Sequence, residues 1–105
     1  MENFEFTVYY FASVKDLLKK KKDTIYIKPL IDKTSNIFYV NYELIYNSIV
    51  NTNIDNLDSN DLNLLKDLLN SSLLALYDEY LLDKYLITNV KNKDEFSVIP
   101  PVSGG

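Results

Sequence analysis

Two stretches at opposite ends of the chain alternate with a period of two residues, and this restricts the fold more than any other feature of the sequence. In "FEFTVYYFA", Phe4, Phe6, Val8 and Tyr10 fall on one face and Glu5, Thr7, Tyr9 and Phe11 on the other. The second face begins polar and turns aromatic, so the predicted strand lies inside a sheet with one face covered and the other partly so. Near the end, "DEFSVIPP" sets Phe96 and Val98 against Ser97 and Ile99 before Pro100 and Pro101, which cannot donate to a ladder.

Between these strands the period changes. Ser13 is a candidate cap for a helical turn, "VKDLLKK", with Val14, Leu17 and Leu18 at helical spacing. "DTIYIKPL" returns to alternation, with Ile25 and Ile27 opposite Tyr26, and Pro29 ends it; a hairpin with the first strand is expected. From Asn41, a plausible N-cap, Tyr42, Ile45, Tyr46, Ile49 and Val50 trace the stripe of the main helix. "NTNIDNLDSND", Asn51 to Asp61, is rich in Asn and Asp and reads as a mobile surface loop. In "LNLLKDLLNSSLLALYDEYLL", Leu62 to Leu69 suits a helical turn, and periodicity alone does not settle the second half of the segment. The order suits an α+β domain with one helix packed across a mixed sheet.

A length of 105 residues accommodates one domain, and 47% apolar residues suffice for a core. The absence of Cys and His removes disulfides, thiolate or imidazole metal sites, Cys nucleophiles and Ser-His-Asp triads. No metal site and no permanently bound cofactor is expected. Fifteen acids against eleven bases, all Lys, give a net charge of −4, which disfavours nucleic acid as a partner. "KKKK", Lys19 to Lys22, is the local exception; it reads first as a solvated turn, and otherwise as a contact for an acidic surface or a nucleotide. No apolar run is long enough to span a bilayer, "MENFEF" lacks a signal core, and a cytoplasmic location is expected, with no membrane contact.

With side chains this poor in catalytic groups, the remaining reactive candidate is the α-carboxylate of Gly105, which a partner enzyme using ATP could convert to an acyl-adenylate. Gly104 and Gly105 lack a Cβ, so the backbone can enter a narrow channel. Pro100 and Pro101 stiffen its root, and the six residues from Pro100 to Gly105 reach about 20 Å when extended. The expected division is a domain over residues 1–99 and an extended tail over 100–105.

The ending "IPPVSGG" resembles the C-terminus of the small, sulfur-carrier subunit of molybdopterin synthase. "VYYFASVKDLL", Val8 to Leu18, is similar to that family's first strand and turn, and "LALYDEYL", Leu74 to Leu81, to its third strand and hairpin. The resemblance implies a ubiquitin-like β-grasp fold with a flexible Gly-Gly tail, a short helix over Leu62 to Leu69 and a strand over Leu73 to Tyr77. It further implies a subunit that is not an enzyme on its own. A ubiquitin-activating-type adenylyltransferase would place AMP transiently on Gly105, and a sulfur donor would replace it to leave a thiocarboxylate. Val102, Ser103 and Gly104, with Pro100 and Pro101, would enter the large subunit, in a heterotetramer of two small and two large subunits. There the sulfur would pass to a cyclic pyranopterin precursor (precursor Z) to build the dithiolene of the molybdenum cofactor. Sulfur carriage for thiamine or tRNA thiolation, and isopeptide-forming protein modification, are the alternatives.

The chain departs from the family in extra residues around Lys28 to Asn36 and Thr52 to Asn60, in Tyr77 where many members have Asn, and in Val98-Ile99 before the prolines. The adjacent carboxylates Asp78 and Glu79 read as a solvated hairpin turn, since strand neighbours point to opposite faces. Tyr9, Tyr26, Tyr42, Tyr46 and Tyr80 read mostly as core-edge packing, with an aromatic partner surface as the alternative.

Overall fold

A computed structural model describes residues 2–102. The first strand, β1, spans Phe4–Tyr10 and is followed by α1 (Ala12–Leu18) and β2 (Lys22–Ile27). Two short strands, β3 (Leu30–Asp32) and β4 (Ile37–Val40), precede α2 (Tyr42–Asn53), a 3-10 turn over Ile54–Asn56, and α3 (Ser59–Ser71). Then come β5 (Leu73–Leu76), β6 (Glu79–Tyr80), β7 (Ile87–Thr88) and β8 (Glu95–Ile99). Five strands form one mixed sheet in the order β2-β1-β8-β5-β6, and β3-β4-β7 form a second, smaller one.

The alternation of β1 and β8 has a single consequence for both. Their inward sets, Phe6, Val8 and Tyr10 with Phe96 and Val98, are buried side by side because the strands run parallel, Val8 opposite Phe96 and Tyr10 opposite Val98. Ile25 and Ile27 of β2 and Leu74 of β5 extend this surface. Ile45 and Ile49 of α2, Leu65 and Leu69 of α3 and Val14 of α1 complete the core, each fully buried. Burial of side chains of this size stabilises by about 1.5–3 kcal/mol apiece. Asn41 caps α2 as its position predicts, its side chain accepting from the Leu44 N–H at 2.9 Å.

Several local expectations are corrected. Ser13 does not cap α1; the helix starts at Ala12 behind Phe11, with no side-chain cap, and Ala12 takes a positive φ of 49°. Residues 51–61 are not a loop. Asn51 to Asn53 complete α2, and Asp58 caps α3 by accepting from the Asp61 N–H at 2.8 Å. The helix expected over Leu62 to Leu69 runs for 13 residues, as long a support for the sheet as α2 with its 12. The strand expected over Leu73 to Tyr77 stops at Leu76, because Tyr77 adopts φ 53° to turn the hairpin. That left-handed position suits Asn better than Tyr. Here the Tyr77 hydroxyl donates to Asp94 Oδ1 at 2.9 Å and its N–H to the Glu95 carbonyl at 2.9 Å.

A polar network ties the helices to the sheet. Asp23, on β2, accepts from the Tyr10 hydroxyl at 2.7 Å, from Asn53 Nδ2 at 3.0 Å and from Lys20 Nζ at 2.9 Å. On the other flank the buried Tyr42 hydroxyl donates to the Leu69 carbonyl at 2.6 Å, joining α2 to the last turn of α3. Burial, then the Asp23 hydrogen bond and charge, push the Tyr10 hydroxyl far above its ordinary 10.0; burial and then the neighbouring Tyr46 and Tyr85 do the same to Tyr42. The folded state thus keeps protons that the unfolded chain releases. Their stabilisation is complete below pH 10 and is lost as the pH climbs above it, by up to about 1.4 kcal/mol per pH unit for each tyrosine. Urea midpoints should therefore fall steeply above about pH 10. Tyr42→Phe should lower the unfolding free energy at neutral pH by about 1 kcal/mol yet flatten the alkaline decline; an unchanged alkaline slope would contradict this account.

Candidate functional site

The tail is mounted on the most enclosed strand of the sheet. β8 lies between β1, to which it is parallel, and β5, to which it is antiparallel. The last ladder pair is Ile99 with Leu73, and the ladder ends where Pro100 and Pro101 bring no N–H. Pro100 is buried, whereas Pro101 and Val102 are exposed, Val102 to 89%. The expected site residues Ser103, Gly104 and Gly105 lie outside the described residues.

The registers fix what surrounds the tail's root. Tyr10 opposes Val98, so Phe11 continues β1 alongside Ile99, and Leu73 flanks Ile99 from the other side. The Leu81 N–H donates to the Leu74 carbonyl at 2.9 Å, which puts Leu82 next to Leu73. Phe11, Leu73, Leu82 and Val102 are all exposed. These apolar side chains form a collar at the sheet end from which the chain departs. Back along the same outer face, Tyr9, Ser97, Ala75 and Tyr80 align across four strands. Sequence reasoning missed Leu73 and Leu82 as a pair, and gave Phe11 no role, because only strand register brings them together.

Electrostatics grade the collar from one side to the other. Lys22 pairs with Tyr9 in register, its Nζ 5.8 Å from the ring centroid. The neighbouring Glu95 carboxylate, and then desolvation, raise the Tyr9 hydroxyl above its ordinary value. On the far side Lys84 Nζ donates to the Ser72 carbonyl at 2.8 Å and lies 4.2 Å from the Tyr42 ring centroid; burial pushes its pKa down. It fastens the segment after β6 over the junction of α3 and β5.

Asp78 and Glu79 are both exposed at the β5–β6 turn, where the sequence places a solvated hairpin. Of the five tyrosines considered, Tyr42 is buried, Tyr9 and Tyr46 are half-buried, and Tyr26 and Tyr80 are exposed. A cavity of about 600 Å³ lined by Ile31, Asp32, Ile37, Tyr39 and Leu86 belongs to the small sheet. That sheet joins the body where Phe38 packs on Phe4 at 5.0 Å, at the end of β1 away from the tail. Among the described residues no helix is long and apolar enough to cross a membrane, and no three acidic side chains converge as metal ligands.

No protein-family model and no curated protein matches the chain by sequence. Solved structures do match it by shape. Small archaeal modifier protein 1 of Haloferax volcanii superposes with a TM-score of 0.55 at 14% identity, over 96% of this chain and 99% of that one. The protein of the same name from Methanosarcina acetivorans gives 0.52 at 16% identity, over the whole of both chains.

Proposed function

We propose that this ubiquitin-like β-grasp domain is a carrier whose cargo is held on the carboxyl group of Gly105, and specifically the sulfur-carrier subunit of molybdopterin synthase. The fold itself is shown by the likeness to the modifier proteins; the role rests on a further observation. "PPVSGG" follows the central strand β8, at a sheet end ringed by exposed apolar side chains. A rigid mount, a stiff root and a terminus without side chains are the parts that delivery into another protein's buried site requires.

In this reading the Gly105 carboxylate attacks the α-phosphorus of ATP on an activating enzyme, releasing pyrophosphate and leaving an acyl-adenylate. A sulfur donor then displaces AMP, and the thiocarboxylate formed is the nucleophile passed to the pyranopterin precursor in the large subunit. The chain supplies no acid or base of its own and holds no resident cofactor; chemistry belongs to the two partners. The matched proteins' name favours a second reading, protein modification, in which the same acyl group ends in an isopeptide bond.

Intact mass decides between them. After incubation with the activating enzyme, ATP and a sulfur source, a carrier gains the mass difference of one oxygen exchanged for sulfur. A covalent adduct with a second protein assigns the modifier role, and an unaltered mass in every condition overturns both. Adding the large subunit and the pyranopterin precursor to charged protein should give dithiolene product; its absence, with charging intact, points to thiamine or tRNA thiolation.

A further inference from the structure

Positive charge on this acidic chain is concentrated at the same end as the tail. Five of the eleven lysines fall between Lys15 and Lys22, with Asp16 as the one acid among them, while the other six are spread among the remaining fourteen of the fifteen acids. The fold carries this cluster to the collar. The Tyr10 N–H donates to the Lys21 carbonyl at 2.8 Å, Lys22 pairs with Tyr9, and β1 in turn pairs with β8. Lys21 and Lys22 thus stand two strands from the tail's root, about 10 Å at the usual strand spacing.

Structural duties account for only part of the cluster. Lys20 is committed to Asp23 at 2.9 Å. Lys19 closes α1 in a left-handed conformation, φ 57°, a position that favours Gly, although a cation there also suits the helix C-terminus. Lys15, in the last turn of α1, shares the second duty, whereas neither extends to Lys21 or Lys22. Lys15, Lys19, Lys21 and Lys22 are all exposed, and among the described residues none of them forms an ion pair. Like charges held this close repel one another, and among the described residues these four ammonium groups make one contact beyond the helix terminus, that of Lys22 with the Tyr9 ring.

We propose that Lys15, Lys19, Lys21 and Lys22 form a docking corner for a carboxylate-rich surface on the protein that takes up the tail. The corner captures and orients that partner before Gly104 and Gly105 are inserted. The inference rests on the tail-delivery reading above and adds to it the chemistry of the receiving surface. The neighbourhood favours a protein over a nucleic acid: Lys21 and Lys22 flank the strand that exposed Phe11 extends, and exposed Leu73 follows two strands further across the same sheet, an apolar centre with a charged rim, as protein interfaces are built. The net charge of −4 and the lack of Arg oppose a polyphosphate backbone.

The test uses the full chain with the activating enzyme and the large synthase subunit encoded in the same genome. Replacing the four lysines together by Gln should slow association with one or both by about tenfold or more at low salt, with little change in dissociation. Association of the unaltered protein should fall steeply as salt rises, and that of the variant should scarcely respond. A control with Lys28→Gln and Lys33→Gln, exposed positions beside β3, should behave as the unaltered protein, and urea midpoints of all three should agree. If the unaltered protein is charged and bound but the fourfold variant matches it in rate and salt dependence, the docking corner is refuted while the carrier reading stands. If the unaltered protein is neither charged nor bound, both fall. Lysine-dependent retention of an oligonucleotide at physiological salt, without an effect on either protein association, would reassign the corner to nucleic acid and overturn the proposal.

Discussion

Deleting Gly105 is expected to abolish charging while moving the thermal midpoint by less than about 2 °C. The truncated chain still ends in a carboxylate on a glycine, so its intrinsic chemistry is unchanged. What changes is reach: the acyl group falls about 3.4 Å short of the position that the mounted tail delivers. Misplacement by about 1 Å already costs on the order of a hundredfold in a positioned reaction, so a whole residue should leave no measurable product. Stability should be insulated because, among the described residues, Pro100 is the last buried one and Pro101 and Val102 are exposed. Intact mass after reaction with the activating enzyme and ATP, set beside a thermal melt of the same sample, provides both readings. A truncated chain that still charges at a comparable rate would show that the position of the terminus is not what the partner reads.

How much of this arrangement is legible in the sequence depends on the length of each element. β1, β2, β8 and α2 each present enough residues for a period to register, and their buried faces match the alternating and helical sets. The small sheet escapes such reading because β3, β4 and β7 contribute only three, four and two residues. A strand of that length has no period, and its pairing depends on contacts such as Phe38 on Phe4, over thirty residues away.

The stretch Asn51 to Asp61 misleads for a different reason. Asn and Asp are common in solvated loops, but they are also the residues that end helices and satisfy buried donors. Here Asn53 is buried, bonded to Asp23 and to the Ile49 carbonyl, and Asp58 starts α3. Composition cannot separate the two uses; only the position of Asp23 across the fold does. The site divides in the same way. The tail motif is visible in the order of its residues, whereas the collar of Phe11, Leu73 and Leu82 exists only through register, and so does the approach of the lysines to the tail.

The complementary experiment damages the mount and leaves the tail whole. Phe96 is fully buried at the middle of β8, its ring 5.2 Å from that of Phe6 at an interplanar angle of 81°. Val8 faces it in register from β1, and Leu76 from β5. Phe96→Ala removes the edge-to-face contact and opens a cavity in the core beneath β8, a strand that two ladders hold from moving in to fill it, which should cost about 3–5 kcal/mol. Against a total of about 5–15 kcal/mol for a domain, the melting midpoint should fall by on the order of 15–30 °C. Yet no atom of Phe96 lies in the tail. Measured well below its lowered midpoint, the variant should therefore charge at a rate within about threefold of the unaltered protein per folded molecule. The deletion thus removes function and spares stability, while Phe96→Ala does the reverse. If charging of Phe96→Ala falls far beyond its loss of folded protein, β8 does more than hold the tail in place, and the partner must read the conformation of the strand itself.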